Sequence, residues 1–178
     1  MHQLLLLRHA KSARDDPELS DHARPLSARG QRAAAAMGRA MRDLGLQPDI
    51  VLASSARRAV ATLEALEPWD ETPLVETMDT LYMAAAPQML KVLQGLAETV
   101  RSVLLLGHNP GMHELALLLA GSHEAAALGS GERSRLAEGF PAAALAEFAL
   151  PGQWRSLGTG GARLHRFLVP RDLPEMAA

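Results

Sequence analysis

Four consecutive leucines, Leu4 to Leu7, followed at once by Arg8 and His9, leave this chain few ways to fold. A short strand buried on both faces accommodates such a run, because successive side chains go to opposite layers. Two more apolar runs follow, Asp49 to Ala53 and Val103 to Leu106. The second ends in Ser54-Ser55-Ala56-Arg57-Arg58, which opens a helix through Leu66. The third ends in Gly107-His108-Asn109-Pro110-Gly111, and a helix then runs to a stop at Gly121. Three strand-then-helix units predict an α/β fold, with three α/β/α layers around a mostly parallel sheet. Right-handed crossovers put the ends of such strands on one edge, where open sheets bind their ligands. Arg8-His9, Ser54 to Arg58, and His108 are therefore expected to converge.

The remaining chain fits one unit. Residues 11 to 30 are polar, broken by Pro17 and Pro25, and read as a long functional loop. Ser27 is placed to cap a helix that Gly45 stops. A short strand is expected over Pro73 to Glu76. A helix is expected from Pro87 to about Glu98, with Met89, Leu90, Leu93 and Leu96 on one face. Residues 122 to 141 read as a loop with a short helix. Ala143 to Leu150 and Arg163 to Val169 read as two late strands joined by a Gly-rich turn. This makes one domain over 1–170 and a C-terminal tail over 171–178.

Composition narrows the function classes. Of 178 residues, 48% are hydrophobic and 21% charged, the balance of a soluble globular chain. The net charge of −2 gives no reason to expect nucleic acid or an anionic membrane as partner. No stretch approaches the roughly 18 apolar residues of a spanning helix, and the start has no basic leader, so a cytoplasmic location is expected. The absence of cysteine excludes thiolate catalysis and Cys-ligated metals.

An Arg-His pair means little by itself: with 16 Arg and 7 His in the chain, chance gives roughly 0.6 such pairs. Two histidines and two arginines at one sheet edge mean more. Guanidinium forks grip two oxygens at once and carry permanent charge. A neutral imidazole oriented through its other nitrogen can attack a phosphoryl group in line. Phosphoryl transfer is mainly positioning and charge stabilisation, which arginines can supply without magnesium. No carboxylate cluster stands where Mg²⁺ would bind, and no cofactor is expected.

Here the residues carry a resemblance. Arg8-His9-Ala10 after the first strand, Ser54 to Thr62 (S-x-x-x-R-A-x-x-T) after the second, and Gly107 to Gly111 after the third resemble the histidine phosphatase superfamily. Arg8 to Ser12, the Ser20 to Leu26 segment, and Leu81-Tyr82 before a helix look most like the short SixA-type phosphohistidine phosphatases. The resemblance implies a phosphoglycerate mutase-like fold without a cap domain. It implies a metal-independent hydrolase acting on phosphohistidine of a protein, such as a histidine-containing phosphotransfer protein, through a covalent phosphohistidine. It further implies His9 as nucleophile, Arg8 and Arg58 on the phosphoryl oxygens, and His108 completing the pocket. Arg58, not Arg57, falls on the motif, because Ala59 and Thr62 follow it at the required spacing. Arg24, Ser12 and Asn109 are the further substrate-binding candidates.

Two departures stand out. Larger relatives place a Glu or Asp proton donor before a mid-chain helix, whereas Leu81 to Ala86 holds no acid. A phosphoester needs its alkoxide protonated on leaving, but a phosphoimidazole whose ring is already protonated leaves neutral. Asp15, Asp16, Asp21 or Glu114 are the available stand-ins. Pro141-Ala142-Ala143 also lacks the hydroxyl residue that relatives often carry after the proline.

Plainer readings apply elsewhere. His22 reads as a turn residue, Arg57 as a solvated helix residue, and Arg24 is as well suited to a carboxylate as to phosphate. His108 and His113 do not reproduce a zinc-binding helix face, so no metal is expected. Gly158-Thr159-Gly160-Gly161 reads as a turn. Two other functions remain open on these residues: a small-molecule phosphomonoesterase, and a non-catalytic phosphate-binding or docking module.

Overall fold

The computed structural model describes residues 1–121 and 130–176. Six strands form one sheet: β1 (His2–Arg8), β2 (Ile50–Ser54), β3 (Leu74–Met78), β4 (Ser102–Gly107), β5 (Leu145–Leu150) and β6 (Arg163–Leu168). Their order is β3-β2-β4-β1-β5-β6. The first four run parallel; β5 runs against both β1 and β6. β1 thus lies inside the sheet, register-paired to β4 on one side and to β5 on the other.

The leucine run is explained by that position. Leu4, Leu5, Leu6 and Leu7 have no exposed surface, and they divide by parity between two cores. Leu5 and Leu7 join Val51, Ala53, Leu104 and Leu106 beneath α1 (Ala28–Asp43) and α2 (Arg57–Leu66). Leu4 and Leu6 join Leu52, Val103, Leu105 and Phe148 beneath α3 (Ala86–Gln94), α4 (Gly111–Ala120) and α5 (Ser130–Glu138). Each fully buried leucine contributes roughly 1.5–3 kcal/mol, so burying four in one strand strongly fixes its register.

Most expected elements form within a residue or two of their expected bounds. Ser27 caps α1, its Oγ accepting from the Gly30 amide at 3.0 Å, and Gly45 follows the helix at φ +67°. The expected short strand is β3, displaced slightly to Leu74–Met78. The helix opened by Pro87 is the clearest correction: it ends at Gln94, not at about Glu98. Gly95 closes it, its amide donating to Lys91 and Val92 carbonyls. Glu98 is drawn off to the sheet, accepting from the amides of Trp154 and Arg155 and meeting His2 Nε2 at 3.1 Å.

Of the loop with a short helix expected over 122–141, residues 122–129 lie outside the described residues, and α5 supplies the helix. The connection from β5 to β6 holds a single turn at Trp154–Ser156 that buries Trp154, besides the glycine turn at Gly160. The described part of the expected tail forms turns at Pro170–Asp172 and Pro174–Met176 against α1, where Arg39 pairs with Glu175 at 2.7 Å. Residues 177 and 178 lie outside the described residues. Among the described residues no helix is long and apolar enough to cross a membrane.

Candidate active site

The parallel strands β1, β2 and β4 end on one edge, and that edge brings the predicted residues together. His9 leaves β1 pinned on several sides. Its amide donates to the Gly107 carbonyl at 3.1 Å, and its own carbonyl accepts from Ala143 at 3.2 Å. The next amide, Ala10, donates to Thr62 Oγ1 at 2.9 Å, and that hydroxyl donates to the Arg58 carbonyl at 2.7 Å. Thr62 lies one helical turn beyond Arg58 in α2, so the i, i+4 spacing of the motif is a brace between strand and helix.

The hydrogen bonds settle the tautomers. His9 Nδ1 lies 2.7 Å from the Ala10 carbonyl, which can only accept, so Nδ1 carries the proton. The Nε2 lone pair then accepts from Arg58 Nε at 3.3 Å. His108 is set the opposite way. Its Nδ1 accepts from an Arg58 terminal nitrogen at 3.3 Å, leaving Nε2–H to donate to Ser54 Oγ at 2.7 Å. The two rings lie 4.9 Å apart between centroids.

Both rings are held neutral. Burial pushes His9 down to about 4, helped by the guanidiniums of Arg58, Arg8 and Arg24 and opposed by its bond to the Ala10 carbonyl. Burial likewise pushes His108 down to about 3, helped by His9, Arg58 and Arg8 and opposed by Asp21.

Arg58 sits at the centre, 2% exposed, while its neighbour Arg57 points to solvent. Besides the two rings, it donates through one terminal nitrogen to the Asp21 carbonyl at 2.7 Å and through the other to Asp21 Oδ2 at 3.0 Å. Arg8 is held by a bond of 3.0 Å to the Phe140 carbonyl, leaving its buried Nε without a protein partner. Asn109 donates to the same carbonyl at 2.9 Å, and its buried Oδ1 is unpartnered. Arg24 donates to Ser12 Oγ at 2.8 Å and doubly to Asp21 Oδ1, at 3.1 and 2.8 Å. All seven predicted residues line one open cleft of about 1040 Å³.

Other expectations fare differently. Arg24 meets the cleft and a carboxylate at once. Tyr82 and two arginines hold Asp21 far below the ordinary carboxylate range, so it is no proton donor. Asp15 and Asp16 are exposed on the outer wall, and Glu114 is exposed on α4 away from the cleft lining. His22 bonds Ser55 Oγ at 3.0 Å and lies outside the lining. His113 bonds the Leu136 carbonyl at 2.7 Å. Among the described residues no three His, Asp or Glu side chains are grouped to hold a metal.

Sequence reasoning missed how Ser54, Thr62 and Tyr82 serve the site. Tyr82 had one available signal, being the only tyrosine in the chain. Ala143 had none: its backbone at φ +59° donates to both the Arg8 and His9 carbonyls.

Comparison with known proteins gives the family and the fold. The sequence model of the Histidine phosphatase superfamily (branch 1) matches residues 4–81. An uncharacterized protein of Mycobacterium tuberculosis strain H37Rv is 34% identical over 168 residues, covering 93% of this chain and all of its own. A proposed phosphohistidine phosphatase SixA from Nakamurella multipartitia superposes with a TM-score of 0.82 at 29% identity, over 95% of this chain and 96% of the other. The corresponding proposed SixA from Agrobacterium tumefaciens gives 0.80 at 28%, over 95% and 98%.

Proposed function

The chain belongs to the histidine phosphatase superfamily as a SixA-like phosphatase, and from that premise we propose that it hydrolyses phosphohistidine on a protein, through a covalent phosphohistidine at His9. One observation carries the proposal. A buried guanidinium, Arg58, bridges two imidazoles held neutral, while the carboxylate beside it is held ionised. The inner cup therefore offers positive charge and a nucleophilic lone pair but no protonated acid.

That combination suits an N–P bond. His9 Nε2 attacks phosphorus, and the bond to the substrate imidazole breaks. The substrate ring, protonated on its other nitrogen, departs neutral and needs no donor. Arg8, Arg58 and Arg24 take the phosphoryl oxygens, Ser12 and Asn109 border them, and His108 closes the pocket. Water then attacks phosphorus and the N–P bond to His9 breaks, its electron pair returning to Nε2. Dihydrogen phosphate leaves carrying both water protons. An alkoxide leaving group would need an acidic proton, which neither a neutral imidazole nor ionised Asp21 offers, and this disfavours phosphomonoesters. Arg58 Nε–H donates to the His9 lone pair at 3.3 Å; a phosphoryl oxygen that takes this donor frees the nucleophile in the same movement.

Brief incubation with a phosphohistidine-bearing phosphotransfer protein carrying labelled phosphorus is expected to leave acid-labile label on His9. In His9→Ala both label and turnover are expected to vanish. Turnover that survives this substitution would overturn the proposal. Faster hydrolysis of sugar phosphates or phosphoserine at matched concentration would favour the monoesterase. Phosphate binding without any turnover would favour the docking module.

A further inference from the structure

Resting on that reading of the cup, we propose that Asp21 is a positioning residue that sets the direction in which Arg58 and Arg24 present their N–H groups, and that Tyr82 fixes Asp21. One aspartate serves both guanidiniums. Its Oδ1 takes two donors of Arg24, at 3.1 and 2.8 Å, and its Oδ2 and backbone carbonyl take two of Arg58, at 3.0 and 2.7 Å. Oδ2 also accepts from the Tyr82 hydroxyl at 2.5 Å. The Tyr82 ring stands under Arg58, 5.9 Å from the guanidinium carbon, and edge-on to His108 at 5.5 Å. Three elements distant in sequence, the 11–30 loop, α2 and the turn before α3, thus meet at one carboxylate.

Stability alone is a poor account of this arrangement. The Asp21 side chain is half exposed, so solvent screens its pairing with the arginines and the Arg24 pair contributes little. Direction is another matter. Arg58 is desolvated, and a buried fork that could rotate would not place its N–H groups where charge develops during transfer. Asp21 leaves Arg58 Nε aimed at His9, and it holds Arg24 in the wall of the same cleft.

The test compares the wild type with Asp21→Asn and Tyr82→Phe, using a phosphohistidine peptide. Asp21→Asn keeps the shape but loses charge-assisted bonds, so kcat is expected to fall about 10- to 100-fold, with KM changed by less than about threefold. The part of its acid limb set by His108 is expected to move to lower pH, because the Asp21 charge that favours that imidazolium has gone. Tyr82→Phe keeps that charge, so kcat falls less and the acid limb stays. In NMR spectra the Arg58 Nε–H signal is expected to exchange slowly in the wild type and to be lost in Asp21→Asn. An unchanged kcat overturns the proposal. So does a kcat loss that tracks a loss of thermal stability with the acid limb unmoved. Should the wild type turn over nothing, the phosphatase reading fails, and the Arg58 signal alone decides the role of Asp21.

Discussion

His9 and His108 reach the folded state neutral, and that carries a thermodynamic signature. Both titrate near 6.5 in an unfolded chain, but at about 4 and about 3 when folded. Between these limits the unfolded chain binds more protons, so stability rises with pH. The contribution is fully present above about 6.5 and is lost as pH falls through about 4 and then about 3. The expected loss between pH 6.5 and 5 is about 1.5 kcal/mol per ring, and urea unfolding across that range checks it. A flat profile would contradict the buried, neutral pair. Asp21, held ionised, adds a further loss at more acid pH. At this scale the sequence showed which residues meet but not their tautomers. Those depend on Ala10 and Ser54, partners too ordinary in type to be singled out.

At the scale of elements, β1, β2 and β4 were legible because each is buried on both faces and reads as a nearly unbroken apolar run, whereas β3 is exposed and β6 alternates. Helix starts were legible from Ser27 and Pro87. What was hidden is how closely elements approach. A Cβ built on Gly111 would lie 2.0 Å from the Ala84 carbonyl, so α4 can begin beside the 82–86 turn only with glycine there. Gly111→Ala is expected to cost roughly 1–3 kcal/mol in urea unfolding. The displaced α4 start would also carry His108 away from Arg58, lowering turnover. The early end of α3 was equally hidden, because Glu98 leaves the helical pattern for partners more than fifty residues away.

For the whole molecule, the cup is a concentration of positive charge held by a rigid sheet edge, so an oxyanion that fills it should stabilise the fold by mass action. Tungstate at a hundred times its Kd is expected to add about 2.7 kcal/mol, read as a rise in Tm. Arg58→Ala should abolish that gain. The convergence of three strand ends was legible from the strand-then-helix order. The wedging of β1 between β4 and β5 was not, because pairing order leaves no trace in any single run. That wedge reaches back to synthesis. The partners of residues 2–8 are residues 102–107 and 145–150, so during synthesis His9 is made well before the strands that seat it. Only when the return strand has cleared the ribosome is the first strand flanked on both sides, so the cleft at its end is assembled late.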